Sequence, residues 1–281
     1  MQIVKTIKEV RVQIKEWKKQ GLTIGFVPTM GCLHEGHASL MQRARKECDK
    51  VVASIFVNPM QFGVNEDLDS YPRDLEADAK LCEAIGVDLI FHPEVDEMYE
   101  KDFCSFVDMD GLTKELCGKS RPIHFRGVCT VVSKLFHIVT PDKAFFGQKD
   151  AQQLAVIRRM VKDLNMDLEI VGCPIIREED GLAKSSRNTY LNEEERKAAL
   201  ILSQTIRLGE QLIKDGERDA EKIVGTMKEN LAKEPMARID YVEAVNMDTI
   251  EKIEKIEGSV LVAMAVYIGT TRLIDNFIVE M

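Results

Sequence analysis

The chain has no excess of positive charge, and this lack narrows the classes of protein to which it can belong. Its 38 lysine and arginine residues stand against 47 aspartate and glutamate residues, which gives a formal net charge of −9. Because a phosphate backbone is bound through a basic face, this balance argues against a general nucleic-acid-binding protein. An anionic substrate would need a local pocket of positive charge instead.

Long apolar runs and paired cysteines are also lacking. The longest apolar run, at residues 260–268, is too short to span a membrane, and the charged segment 1–19 does not have the pattern of a signal peptide. The seven cysteines include no Cys-x-x-Cys pair, so the sequence indicates neither a disulfide framework nor a metal site. We therefore expect a soluble, cytoplasmic protein with reduced thiols.

Two common phosphate-binding sequences are missing as well. No two glycines are separated by a single residue, which excludes the Gly-x-Gly of the dinucleotide-binding fingerprint. Gly31 and Gly36 have the spacing of a P-loop, but His37-Ala38 stands where that loop needs lysine followed by serine or threonine. The P-loop lysine and its magnesium-binding hydroxyl are therefore absent.

What the chain has at this place is His34-x-Gly36-His37, between an apolar strand pattern at residues 22–27 and a helical pattern at 38–46. A strand-to-helix turn presents backbone N–H groups and the positive end of a helix dipole, which favour a phosphate. Imidazole N–H groups can add hydrogen bonds to a reacting phosphate. A tight turn with two surface histidines is the alternative, and this stretch alone does not decide between them.

Strand-like and helix-like stretches alternate in the first part of the chain. The strand patterns lie at residues 22–27, 51–57, 87–91, 143–146 and 168–173. The helical patterns lie at 38–46, 75–85, 128–139 and 152–164, and a further strand and short helix are expected within 98–118. Together they predict an α/β fold, with a doubly wound, Rossmann-like parallel sheet in an N-terminal domain at residues 1–180. Ligands of such sheets bind at the carboxyl ends of the strands.

The pattern changes after Asn188. Asn192 is the predicted N-cap of a long charged helix, since three glutamates follow it. A second helix is predicted at residues 220–232, and strands are predicted at 239–245, 260–268 and 272–279. These elements predict a smaller α+β domain at residues 181–281 that closes over the site, with the boundary near 175–190.

A second stretch, Phe146-Gly147-Gln148-Lys149-Asp150, repeats the layout of strand, glycine turn, polar residues and helix. Lys149 can place an ammonium group near triphosphate oxygens, and Asp150 can accept from ribose hydroxyls or contact Mg²⁺. The alternative is a helix-capping aspartate beside a solvated lysine.

The third stretch, at residues 180–188, holds Lys184, Ser185, Ser186 and Arg187. Hydroxyl donors and two fixed charges suit a loop that closes over a pyrophosphate leaving group. A polar linker between domains is the alternative interpretation.

Neutral amides and one arginine are candidates for binding a small polar acid. Asn58, Gln61 and Gln153 can both donate and accept hydrogen bonds, which suits hydroxyl and carboxylate groups. Gln152 is expected to face solvent. Arg126 is expected to reach an anion from a flexible loop before the helix predicted at 128–139.

In this order and spacing the segments resemble the pantoate–β-alanine ligase family, over nearly the whole chain. His34-x-Gly36-His37 alone indicates only the adenylyl-transferring superfamily that also includes class I aminoacyl-tRNA synthetases. The family resemblance rests on Pro28-Thr29-Met30-Gly31, His34-x-Gly36-His37, Asn58-Pro59-x-Gln61-Phe62, Ser70-Tyr71-Pro72-Arg73, His124-Phe125-Arg126-Gly127, Phe146-Gly147-Gln148-Lys149-Asp150-x-Gln152-Gln153 and Ser185-Ser186-Arg187-Asn188.

The resemblance implies a homodimeric enzyme that joins (R)-pantoate to β-alanine through a non-covalent pantoyl adenylate, while ATP, used with Mg²⁺, becomes AMP and pyrophosphate. It implies catalytic roles for His34, His37, Lys149 and Arg187, with His37 as proton donor. The implied ATP-binding residues are Met30, Gly31, Cys32, Leu33, His34, Glu35, Gly36, His37, Gly147, Gln148, Lys149, Asp150, Ile176, Lys184, Ser185, Ser186 and Arg187. The substrate-binding candidates are Gln61 and Gln153, to which we add Asn58 and Arg126.

Two other functions share the histidine motif. A simple nucleotidyltransferase would move a nucleotide onto a phosphate-bearing acceptor, but it needs more basic residues on the acceptor side than Gln61 and Gln153 provide. An ATP-sensing module would bind ATP without turnover. Formation of AMP that requires an amine separates the first from a ligase, and pantoate-dependent exchange of pyrophosphate into ATP separates the second.

Overall fold

The computed structural model describes residues 1–64 and 66–281, and its packing divides the chain into two compact units. The first unit comprises Met1–Met109, Ile123–Gln148 and Val156–Pro174. The second comprises Asp110–Pro122, Lys149–Ala155 and Ile175–Met281. The division into domains at residues 1–180 and 181–281 stays a prediction.

The first unit is built on a parallel sheet. Its strands are β1 (Gln2–Val4), β2 (Ile24–Thr29), β3 (Lys50–Ile55), β4 (Leu89–Phe91), β5 (Lys143–Gly147) and β6 (Glu169–Cys173). They lie in the order β1-β4-β3-β2-β5-β6. The direction of strand addition reverses between β2 and β5, and sheets of this class bind ligands beyond the carboxyl ends at such a switch point. The structure therefore confirms the predicted doubly wound α/β fold.

Helices lie between these strands along the chain. Up to residue 174 they are α1 (Ile7–Lys19), α2 (Glu35–Glu47), α3 (Leu75–Ile85), α4 (Val95–Met98), α5 (Leu116–Ser120), α6 (His124–Val139) and α7 (Ala151–Asp163). One core cluster joins Met41 of α2 and Cys82 of α3 to Val27, Ala53 and Phe145 of the sheet, all fully buried. Burial on this scale is the main source of stability for such layers.

Two predictions for this region are wrong. The expected short helix, α5, begins within residues 98–118, but these residues form no strand. The main-chain N–H and C=O of Val107 both bond to the Thr130 hydroxyl of α6, at 3.0 and 3.4 Å, so this segment does not use them in a strand ladder. Helix α6 begins at His124 rather than at 128. The sequence did not indicate this start, because the N-cap residue, Ile123, makes no side-chain capping hydrogen bond.

The three strands predicted in the second unit form an antiparallel sheet, β7 (Ala237–Asn246), β8 (Ser259–Ile268) and β9 (Thr271–Glu280), in that order. Its later helices are α8 (Glu193–Ala198), α9 (Leu200–Lys214) and α10 (Ala220–Leu231). Asn192 caps α8 as predicted, since its side chain accepts from the N–H of Glu195 at 2.9 Å. The single long helix expected after Asn192 is interrupted at Ala199.

Strand β8 explains why two early segments belong to the second unit. Alternate side chains of a strand point to opposite faces. Val262 and Val266 pack in the cluster formed by α9 and α10. Leu261 and Ala263 pack in a second cluster with Leu116 of α5 and with Ala151 and Ala155 of α7. Both faces of β8 are therefore covered, one of them by residues 110–122 and 149–155.

No helix within residues 1–64 or 66–281 combines the length and the apolar character that crossing a membrane requires.

Candidate active site

The turn after β2 is held by a buried carboxylate on α3. Asp78 accepts hydrogen bonds from the main-chain N–H groups of Cys32, at 3.0 Å, and Leu33, at 2.7 Å. Gly31 has a φ of +87°, and a Cβ at this position would lie 3.0 Å from the Asp78 carboxylate, so the close approach requires glycine. Burial raises the pKa of the Asp78 carboxyl, and the two backbone hydrogen bonds only partly offset this effect.

His34 and His37 form the N-terminal cap of α2. Nδ1 of His34 accepts from the N–H of Gly36 at 3.1 Å, and Nδ1 of His37 accepts from the N–H of His34 at 3.3 Å. The ring centroids are 4.2 Å apart. A neutral imidazole that accepts at Nδ1 carries its proton at Nε2, so each ring is a donor through Nε2–H. The predicted arrangement of imidazole donors at a helix N-terminus therefore exists within this unit, directly after the carboxyl end of β2.

Asn58 sets the orientation of Gln61. Its Nδ2 donates to Oε1 of Gln61 at 3.1 Å and to the main-chain O of Gly127 at 3.2 Å, and its Oδ1 accepts from the hydroxyl of Tyr99 at 2.8 Å. Burial raises the pKa of Tyr99, which keeps its hydroxyl protonated and able to donate. Nε2 of Gln61 contacts Sδ of Met30 at 3.1 Å. Three predicted residues, Met30, Asn58 and Gln61, therefore lie together in the first unit.

Gly127 is needed for this cluster. A Cβ on Gly127 would lie 2.3 Å from the main-chain O of Met60 and 2.6 Å from Cα of Gln61, which no side chain tolerates. The start of α6 therefore approaches the Asn58–Gln61 turn through glycine. Arg126 lies in the first turn of α6, not in a flexible loop, and its guanidinium is 4.1 Å from the centre of the Phe106 ring.

Other predicted residues lie in the second unit, in the segment after Gln148. The turn Gln148–Asp150 is a 3₁₀ helix, and the main-chain O of Lys149 accepts from Nδ2 of Asn276 at 2.8 Å. Asp150 is exposed and Gln153 is half-buried. The expectation that Gln152 faces solvent is wrong: it is buried, and its Nε2 donates to the carbonyls of Leu112 and Glu115, both at 2.8 Å.

The stretch at residues 176–188 forms a short hairpin followed by a 3₁₀ helix, Ser186–Tyr190. The N–H of Lys184 donates to the O of Ile176 at 2.9 Å, which closes the hairpin. Nζ of Lys184 lies 2.7 Å from the Glu178 carboxylate, so the charge that Lys184 adds to this loop is paired within the unit. The Ser185 hydroxyl caps the 3₁₀ helix by accepting from the N–H of Arg187 at 3.3 Å. These residues therefore form an ordered hairpin and turn.

Sequence reasoning missed the residues that hold these segments, among them Asp78, Tyr99 and Asn276. A signal was available for Asp78, because it falls on the apolar face of α3 between Leu75 and Cys82. Asn276 likewise interrupts an apolar strand. Nothing local marks Tyr99. Among the described residues, no group of three or more histidine, cysteine, aspartate or glutamate side chains is arranged to hold a metal ion.

Comparison with known proteins gives a consistent result. Residues 2–278 match the family model described as pantoate-beta-alanine ligase. The pantothenate synthetase of Ruminiclostridium cellulolyticum is 62% identical over 277 residues, which are 99% of this chain and 98% of that protein. The pantothenate synthetase of Enterococcus faecalis is 61% identical and aligns over 100% of both chains.

Solved structures agree with these relatives. The crystal structure of pantothenate synthetase from Thermus thermophilus has a TM-score of 0.94 and 44% identity, and the match covers 99% of both chains. A pantoate-beta-alanine ligase from Francisella tularensis, in a complex with β-γ ATP and β-alanine, has a TM-score of 0.81 and 34% identity, covering 99% of this chain and 97% of that one.

Proposed function

The chain is an enzyme of the pantoate–β-alanine ligase family, and we propose that it uses ATP to join pantoate to β-alanine through a pantoyl adenylate. In the first step the carboxylate of (R)-pantoate attacks the α-phosphorus of ATP, the bond to the β-phosphate breaks, and pyrophosphate leaves. In the second step the amine of β-alanine attacks the carbonyl of the mixed anhydride, and AMP leaves as the amide forms. No protein nucleophile is needed, since the adenylate is non-covalent.

The observation that carries the proposal is the pair of imidazoles at the N-terminus of α2. Because His34 and His37 accept backbone N–H groups at Nδ1, both carry their donor proton at Nε2, and this atom is the proposed donor to an anion. The positive end of the helix dipole adds to this preference for negative charge. Donors fixed in advance stabilise charge that develops during transfer, and this is often the largest catalytic effect. His37 is the proposed proton donor.

Four further proposed ATP-binding residues belong to the second unit. Lys149 and Arg187 are the proposed cations for the triphosphate, and Ser185 and Ser186 are proposed hydrogen-bond donors to it. Mg²⁺ is proposed to enter with ATP. In such sites this ion keeps several of its waters and binds the substrate phosphates, so the protein needs to provide only one or two carboxylates. Asp150, whose carboxylate is exposed beside Lys149 in the chain, has the chemistry for one such contact.

Gln61 and Gln153 are the proposed partners of pantoate, and Arg126 is a further candidate for its carboxylate. The amide of Gln61 is fixed by Asn58 and Met30, so it does not have to be ordered when substrate binds. The Asn58 side chain takes part in four hydrogen bonds within the protein, and it fits the role of positioning Gln61.

A homodimer and a cytoplasmic location complete the proposal. The homodimer follows from the family resemblance, and the cytoplasmic location follows from the pattern of the cysteines. All seven cysteines are free thiols, which supports a reducing compartment.

The test is an assay of AMP release in which ATP, pantoate and β-alanine are omitted in turn, together with pantoate-dependent exchange of pyrophosphate into ATP. His37→Ala should lower the exchange rate by about 10²–10³-fold, the cost of losing one donor to a transition-state anion. His137→Ala is the matched control, because His137 is an exposed histidine of α6 whose Nδ1 contacts only its own helix, at the O of Ser133.

Each alternative gives a different outcome. Transfer of AMP to an acceptor, with no requirement for an amine, would indicate a nucleotidyltransferase. Binding of ATP with no pyrophosphate exchange would indicate a sensing module. Exchange that is unchanged in His37→Ala would remove the imidazole pair from the mechanism.

A further inference from the structure

Two adjacent polar residues of β9, Asp275 and Asn276, are buried between the apolar residues Leu273 and Phe277. Their exposed fractions are 1% and 4%. Neither belongs to the candidate site derived from sequence. Burying a polar side chain costs free energy unless it is hydrogen-bonded, so the partners of these two residues show what they hold in place.

Asn276 holds the segment that carries Lys149. Its Nδ2 donates to the main-chain O of Lys149 at 2.8 Å. That carbonyl lies in the 3₁₀ turn Gln148–Asp150, directly before α7 begins at Ala151. Fixing this peptide group fixes the point from which the Lys149 side chain extends. The Gln152 amide, bonded to Leu112 and Glu115, holds the following turn of α7 separately.

Asp275 holds the hairpin that precedes Ser185. Arg177 donates to its two carboxylate oxygens at 2.7 and 2.9 Å, and the same guanidinium donates to the main-chain O of Gly181 at 3.1 Å. Gly181 has a φ of +97°, so the turn requires the conformational freedom of glycine. The hydrogen bond of Arg177 thus fixes the tip of the hairpin to the sheet.

The hairpin leads directly into the segment that carries the serines and Arg187. The N–H of Lys184 bonds to the O of Ile176 at 2.9 Å, and the Asn188 side chain bonds to the O of Ala183 at 3.1 Å. A shift of the hairpin would therefore be transmitted to residues 184–187. The two groups of residues assigned to the triphosphate have a common support on β9.

We propose that the Asp275–Asn276 pair positions the Lys149 segment and the 184–187 segment together, so that one strand sets the places of the cations and hydroxyls that act on ATP. The role of these segments in ATP binding rests on the proposed function. Their attachment to β9 does not, because it is given by the hydrogen bonds of Asp275 and Asn276. Asp275 and Asn276 are positioning residues, because they act through Lys149 and residues 184–187.

The first experiment compares Asn276→Ala with Leu273→Ala in the full chain. Asn276→Ala should raise KM for ATP in pyrophosphate exchange by about tenfold, the effect of one hydrogen bond, and KM for pantoate by less than about twofold. Amide hydrogen exchange of residues 148–152 should become faster. Leu273→Ala truncates a buried side chain of the same strand, so it should lower stability without changing the ratio of the two KM values.

An ATP effect of the same size in Leu273→Ala would overturn the proposal, because general destabilisation would then explain it. Unaltered hydrogen exchange at residues 148–152 in Asn276→Ala would also overturn it.

The second experiment addresses the hairpin. Asp275→Ala alone can fail to fold, so the double variant Arg177→Met/Asp275→Leu replaces both partners by apolar side chains, a change that buried ion pairs often tolerate. Faster hydrogen exchange at residues 181–188 is expected, and unchanged exchange there contradicts the proposal. If the wild type shows no pyrophosphate exchange, the proposed function fails, while the hydrogen-exchange results still decide whether β9 holds the two segments.

Discussion

Asp78 in the first unit and Asp275 in the second are both buried carboxylates that hold a loop with predicted site residues, but they do so in different ways. Asp78 accepts two main-chain N–H groups and so binds the loop directly. Asp275 binds the Arg177 guanidinium, which in turn binds the loop. Burial raises the pKa of Asp78, whereas donation of hydrogen bonds to the Asp275 carboxylate raises the pKa of Arg177.

The difference lies in what each attachment depends on. The turn at residues 31–33 depends on one titratable carboxyl group, and burial of that group disfavours its ionisation. The hairpin at residues 176–184 depends on an ion pair, and removing one partner leaves the other charge buried and unpaired. The first attachment should therefore respond to pH and the second to loss of a partner.

The largest expected effect comes from breaking the ion pair. Asp275→Ala should lower the free energy of unfolding by about 3 kcal/mol. This value is at the low end of the loss expected when a buried ion pair is broken, because the Arg177 side chain is 29% exposed. Unfolding in urea measures the loss. The double variant Arg177→Met/Asp275→Leu should lose distinctly less. Equal losses in the two variants would show that the unpaired guanidinium is not the cause.

A smaller effect should come from crowding the other carboxylate. Gly31→Ala should lower the free energy of unfolding by about 2 kcal/mol, because the positive φ strains any residue with a Cβ and the new methyl group meets Asp78 and Ile55 at 3.0 and 3.1 Å. Gly21→Ala is the matched control. Its φ is +73° with no atom within 4 Å of the added Cβ, so it should show the backbone strain alone. If Gly21→Ala costs as much, contact with Asp78 adds nothing.

The smallest expected effect is a pH dependence of stability. Since the pKa of Asp78 is higher in the folded than in the unfolded chain, its contribution to stability is fully present below the ordinary aspartate pKa and is lost as pH rises through the folded value. Asp78→Asn removes this contribution, so the stability of the wild type relative to the variant should fall as pH rises from about 3 to 7. Thermal unfolding at several pH values measures it.

Asp88 provides a control of opposite sign. Burial raises its pKa, but hydrogen bonds from Lys50, the N–H of Val51 and Arg45 together lower it below its usual value. Its stabilisation is present above the unfolded pKa and is lost as pH falls through the folded one. Asp88→Asn should therefore give the reverse trend, and the same trend in both variants would contradict the pKa directions.

Much of the fold could be predicted because the signals are local. Residues 75–85 show helical periodicity between Asp74 and Gly86, and α3 has these bounds. The apolar runs before His34 and Lys149 became β2 and β5. In contrast, β1 is three residues long and pairs with β4 far along the chain, which no local pattern indicates. Gln152 was misplaced for a similar reason, because the carbonyls that take its amide are 40 and 37 residues away.

By itself, the sequence determined which residues stand at the ends of β2 and β5, and which family the chain resembles. A strand, a glycine turn and a helix start are written in consecutive residues. Only the tertiary structure decided what holds those residues. Asp78 reaches Cys32 across 46 positions, and Asn276 reaches Lys149 across 127. Periodicity shows which face of an element a residue occupies, but a hydrogen bond between distant segments depends on which backbones the fold brings within about 3 Å of each other.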